Sequence, residues 1–91
     1  MDTEDRFDPA KDKINKARHG ISLARVADFI EAKTLVDDRL DYGEVRYRAW
    51  GHIEGVAYYL AFTFRDGKMR PISLRRAHAK EMKRHVQKTQ I

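Results

Sequence analysis

The spacing of apolar positions changes character twice along the chain. Ala10, Ile14 and Ala17 recur at helical intervals, and Leu23, Val26, Ala27 and Ile30 do so again after a break. Asp8 can cap the first run, and Pro9 suits its first position, where a missing N–H costs nothing. Gly20 supplies a left-handed stop behind Arg18 and His19; Ser22 can cap the second run, with Ile21 and Val26 stapling its start. Residues 9–32 are thus predicted to form two short helices joined at a tight corner.

From Thr34 the period shortens towards two, giving candidate strands at 34–38, 44–51, 56–65 and 68–75. Glu54-Gly55 and Asp66-Gly67 are hairpin signals, the second a two-residue turn that needs positive φ at both positions. Pro71 cannot donate to a ladder, so the last strand is expected to be an edge or to bulge there. Ala79, Met82 and Val86 then predict a closing helix. The predicted fold is α+β: two N-terminal helices packed on an antiparallel meander of about four strands, with a C-terminal helix. At 91 residues the chain suits a single domain, 1–91, and one small core.

Alternation divides the sheet into two faces. Val45, Tyr47, Ala49, Val56, Tyr58, Leu60, Phe62, Phe64, Ile72 and Leu74 fall on the expected core side. Opposite them fall Arg46, Arg48, Trp50, Tyr59, Thr63, Arg65, Ser73 and Arg75, so four arginines share a face with two aromatic rings. Guanidinium groups hold phosphate through paired hydrogen bonds, and rings can stack unpaired bases at about 1–3 kcal/mol each. The same two rings could instead pack under the closing helix.

Charge layout strengthens the polyanion reading. The net charge is +5, but residues 1–44 carry eight bases against eleven acids, whereas residues 45–91 carry eleven against three. Such asymmetry suggests that one half faces a polyanion. No cysteine is present, the longest apolar stretch is too short to span a bilayer, and the acidic MDTEDRFD opening lacks the pattern of a signal peptide. A cytoplasmic protein with no membrane contact is expected. His19, His52, His78 and His85 are scattered without metal-ligand spacing, and neither a Gly-x-Ser-x-Gly elbow nor a phosphate-cradling glycine loop occurs. No metal and no cofactor are expected.

Four segments carry a family resemblance: F-D-P-A-K at 7–11, N-K-A-R-H-G-I-S at 15–22, G-E-V-R-Y at 43–47 and R-P-I-S-L-R-R-A-H-A-K-E at 70–81. Their order and spacing are similar to those of the BrnT toxins, nearly end to end. Two positions depart from the family pattern: Arg18 stands where a lysine is usual, and His85 where a tyrosine often closes the basic helix. The resemblance implies a RelE-like fold and an RNA-cleaving toxin of a type II toxin–antitoxin system. It also implies a BrnA-like ribbon-helix-helix antitoxin, with operator DNA bound only through the antitoxin complex.

The expected chemistry is attack of a ribose 2′-OH on the adjoining phosphate of mRNA. Arg46 and Arg75, which resemble the family's positions on matching strands, would each hold a nonbridging oxygen. Such donors are commonly worth about 2.7–4 kcal/mol apiece in a transition state. Glu81 and His85 lie one helical turn apart, so Glu81 could orient the imidazole for proton transfer; His19 is a further candidate from the helix corner. RNA binding is assigned to Arg18, Arg48, Trp50, Tyr59, Arg65, Arg70 and Arg76. Two other classes stay open: a module that binds nucleic acid without cutting it, and a structural partner whose basic face receives an acidic antitoxin segment.

Overall fold

The computed structural model describes residues 7–86. Asp8 Oδ1 accepts the Ala10 N–H at 2.8 Å, which starts helix α1 (Pro9–His19), and Gly20 ends it at φ 72°. The second predicted helix is a shorter 3-10 helix, Leu23–Asp28, capped by Ser22 as expected. Asp12 Oδ1 ties this corner together by accepting the Ser22 hydroxyl at 3.0 Å and the Leu23 N–H at 2.7 Å. Beyond Asp28 the chain is extended, so Ile30 belongs to a strand and not to a helix reaching residue 32.

Four strands follow: β1 (Ile30–Asp37), β2 (Arg46–Ile53), β3 (Val56–Arg65) and β4 (Lys68–Arg76). They pair antiparallel in chain order as a meander. Both predicted hairpin turns form with positive φ at each central position: 50° and 77° at Glu54-Gly55, 54° and 75° at Asp66-Gly67. Pro71 satisfies both halves of its expectation, because β4 is an edge strand and Ile72 is the extra residue of a bulge between Pro71 and Ser73. Helix α2 (Ala79–His85) closes the described chain. Among the described residues, no helix is long and apolar enough to cross a membrane.

β1 begins four residues before its predicted start because of a residue across the sheet. Gly51 leaves room for the Ile30 backbone; a Cβ at Gly51 would collide with the Ile30 carbonyl oxygen and with the Phe29 ring. The other outer edge, β4, is sealed by α1. Asn15, buried in the middle of that helix, donates its amide to the Leu74 carbonyl at 2.8 Å and accepts the Leu74 N–H at 3.1 Å, standing in for a fifth strand. The same amide also donates to the Ile21 carbonyl at 2.9 Å.

The sheet is covered on both faces. Ile21, Leu23 and Val26 pack on Ala49, Ile53, Leu60 and Leu74, forming the expected core. Val45 and Phe64, assigned to that core by alternation, are 60% and 52% exposed because the short helical layer does not reach their end of the sheet. On the opposite face α2 builds a second cluster, in which Met82 packs with Trp50 and Tyr59.

Candidate active site

Register fixes which basic residues can act together. Pairing across β2, β3 and β4 places Trp50, Tyr59 and Arg75 in one row, and Arg48, Ala61 and Ser73 in the next. Arg46, Thr63 and Arg70 form the row beyond. Arg46 and Arg75 share a face, as predicted, but their rows lie four residues, about 13 Å, apart along the strands, on strands that are not neighbours. They do not converge on one phosphate. Arg76 pairs with Tyr58 and therefore projects from the other face.

The arginines also divide by partner. Arg46 and Arg65 both bind Glu44, at 3.3 and 3.2 Å, and Arg46 lies over the Tyr42 ring. Hydrogen bonds from Arg65, then from Arg46, hold the Glu44 carboxyl below its usual range despite partial desolvation. Nearby, Arg39 grips buried Asp37 through two N–H groups at 2.7 and 2.9 Å, and Tyr42 donates to the same carboxylate. By contrast, Arg18, Arg48, Arg70 and Lys11 carry no ion pair among the described residues. The buried Nε atoms of Arg48 and Arg70 lack even a protein acceptor.

At the α2 end the two aromatic rings form a platform. Trp50 is fully buried and Tyr59 is 7% exposed, with ring centroids 5.5 Å apart. These side chains offer no free face to a nucleobase, so the expected stacking role gives way to packing under α2. Three polar groups rest on the platform. The His85 ring stacks on Trp50 at 3.9 Å and 14°. The Arg48 guanidinium lies 5.0 Å from the Trp50 centroid, and that of Arg75 lies 4.4 Å from the Tyr59 centroid.

Glu81 serves Arg75, not His85. Its carboxylate accepts two Arg75 N–H groups at 2.7 and 3.2 Å and the His78 N–H at 2.9 Å, so it joins β4 to the first turn of α2. Burial opposes its charge, yet these bonds prevail and hold its carboxyl below the usual range. A third Arg75 N–H donates to the Arg76 carbonyl. Among the described residues, three of the five guanidinium N–H bonds are thus occupied, which leaves two for a ligand. The His85 pKa is lowered too, from 6.5, by burial first and then by the nearby Arg48 and Arg84 cations, with Glu81 opposing. For an imidazole that direction favours the neutral form, the one that can act as a base.

Arg18 and His19 lie elsewhere, in the exposed last turn of α1, where they line a cavity with Lys11, Ile72 and Ser73. Asn15 is the residue whose role eluded the sequence. It stands in the N-K-A-R-H-G-I-S segment, but its partner Leu74 is 59 positions away. Among the described residues, no three His, Asp or Glu side chains gather as a metal-ligand set.

Residues 7–81 match the family model described as the ribonuclease toxin, BrnT, of type II toxin–antitoxin systems. The chain belongs to the BrnT family. No curated protein and no solved structure matches it. Membership makes the chain a ribonuclease toxin by family, with an antitoxin as partner and RNA as substrate. Within this BrnT chain, His85, Arg48 and Arg75 stand together on the Trp50–Tyr59 platform.

Proposed function

We propose that this BrnT protein is a metal-independent endoribonuclease that cuts mRNA by attack of a ribose 2′-OH, inhibiting translation. The observation that carries the reading is the juxtaposition on one ring of an imidazole, His85, whose surroundings favour its neutral form, and a guanidinium, Arg48, without a carboxylate partner among the described residues. In this scheme His85 takes the 2′-OH proton as the 2′-oxygen attacks phosphorus. The bond from phosphorus to the 5′-oxygen then breaks, and that oxygen takes a proton from water. The imidazolium returns its proton to solvent, leaving a 2′,3′-cyclic phosphate and a 5′-hydroxyl.

Arg48 and the two free N–H bonds of Arg75 would bind the nonbridging oxygens, where negative charge grows in the transition state. Glu81 is then a positioning residue that fixes the Arg75 fork. Arg46 and Arg65, bound to Glu44, are assigned to framing the face. A BrnA-like ribbon-helix-helix antitoxin is the proposed neutralising partner, with operator DNA reached only through that complex. Co-expression that relieves toxicity and gives a stable complex is expected.

A single 2′-deoxy substitution tests the mechanism. Purified protein should cut RNA in EDTA, leave cyclic-phosphate ends, and fail at a junction whose upstream ribose lacks the 2′-OH. Continued cleavage at that junction would overturn 2′-OH attack and with it the role given to His85.

A further inference from the structure

Two cavities lie end to end between α1 and β4. One, of about 90 Å³, has Phe7, Asp8, Arg70 and Pro71 in its walls; the other, of about 220 Å³, has Arg18 and Ser73. Both include Lys11 and Ile72, so they adjoin along the strand, and together they are called the α1–β4 groove. Bulging at Ile72 and sealing of the edge by Asn15 shape it: the first turns an extra side chain into the space, and the second holds α1 alongside the strand.

Arg65, also in the walls, is paired with Glu44, but the groove's other cations are not paired among the described residues. Lys11, Arg18 and Arg70 have no ion pair among the described residues, and the buried Arg70 Nε has no protein acceptor. Among the described residues, only Asp8 brings a carboxylate to the walls. Apolar surface from Phe7, Pro71 and Ile72 alternates with the cations, which suits a chain of phosphates carrying planar bases. Those apolar surfaces can meet base faces only in a single strand, because a duplex keeps its base faces stacked inside. The end at Ser73 lies one row from Arg75 on the basic face.

We infer that the α1–β4 groove is a subsite for single-stranded RNA, holding the segment next to the reacting phosphodiester with its phosphates on Lys11, Arg18 and Arg70. This rests on the ribonuclease reading for its biological substrate, although the groove would bind a single strand whether or not cutting follows. RNA leaving the phosphate held at Arg48 and Arg75 would pass Ser73, enter between the helix and the edge strand, and continue past Ile72 towards Phe7. A duplex would offer its phosphates but not its base faces to this path.

The test uses a fluorescent 2′-O-methyl decamer, which the proposed chemistry cannot cut, as a single strand and as a duplex. Binding would be measured by anisotropy over a range of salt. The protein should prefer the single strand. Lys11→Gln combined with Arg18→Gln should weaken single-strand binding at least tenfold and flatten the plot of log affinity against log salt by about 0.7 for each phosphate no longer neutralised. Lys13→Gln with Lys80→Gln removes equal charge outside the groove and should do much less. Equal losses in the two double variants, or tighter binding of the duplex, would overturn the groove. Cleavage of unmodified RNA by the same samples separates the two readings. Cutting with unchanged binding in the groove variant leaves the ribonuclease and removes the subsite; groove-dependent binding without cutting does the reverse.

Discussion

The Trp50–Tyr59 platform and the α1–β4 groove flank the same strand, yet they treat charge in opposite ways. On the platform, Arg75 is gripped by Glu81, and burial and neighbouring cations bias His85 towards its neutral form. In the groove, Lys11, Arg18 and Arg70 line the walls with a single carboxylate among the described residues there. Fixed dipoles and charges at set positions suit a transition state, because nothing must reorganise when charge develops. Unbalanced cations on long side chains suit a flexible polyanion, whose counterions they replace. Arginines in one sequence can therefore serve two purposes, decided by what surrounds them in the fold: buried rings under Arg48 and Arg75, open cavities along β4 beside Arg18 and Arg70.

Removing the base should give the largest difference between the regions. His85→Gln keeps a polar side chain over Trp50 but has no group to accept the 2′-OH proton at neutral pH. Cleavage should fall about 10²- to 10⁴-fold, the usual worth of general acid–base catalysis. Affinity for the uncuttable decamer should change by no more than about twofold. Single-turnover kinetics and anisotropy on the same samples check this. A loss of binding that matches the loss of rate would move His85 from catalysis to substrate recognition and erase the distinction drawn between platform and groove.

The frame that separates the regions can be broken at Asn15. Its amide makes three hydrogen bonds to the backbone of Leu74 and Ile21 from a site only 4% exposed. Each buried group left without a partner costs about 1–3 kcal/mol. Asn15→Ala should therefore lose about 3 kcal/mol or more, lowering the melting temperature by roughly 10–20 °C. Calorimetry measures it. A drop of only a few degrees would mean that water or a shifted α1 replaces the amide, and that the β4 edge is not sealed by this residue.

Local chemistry was legible in the sequence, and long-range pairing was not. Asp8, Pro9, Gly20, the two hairpin turns and Pro71 act through their own backbone neighbours, so each announces its element. Ile30 continues a helical stripe in the sequence; what makes it a strand is the missing side chain of Gly51 on the next strand. Alternation placed Trp50 and Tyr59 on the correct face but left open whether they stack on bases or pack under the closing helix; α2 covers them. Whether an arginine is free depends on acids from other elements, as with Glu44 for Arg65 and Glu81 for Arg75. His85 and Glu81 one turn apart suggested a pair, yet Glu81 had a stronger partner across the gap to β4.

A smaller effect sharpens the comparison through pH and stability. Burial lowers the His85 pKa from its ordinary 6.5 in the folded protein, so the unfolded chain binds a proton first as the solution is acidified. Where the unfolded state holds more protons, stability rises with pH. The contribution is complete above about 6.5 and is lost as pH falls through the lower, folded value. Glu81, Asp12 and Asp37 also have lowered pKa values, but theirs start from 4.5, 3.8 and 3.8, so their contributions disappear in a separate, more acid window. The melting temperature should hold steady from pH 8 to 7, decline below about 6.5, and fall again in the carboxylate range. In His85→Gln the first decline should vanish and the second remain. An unchanged first decline would assign it to another histidine, leaving the neutral imidazole on Trp50 without support and weakening the contrast between a platform that suppresses charge and a groove that keeps it.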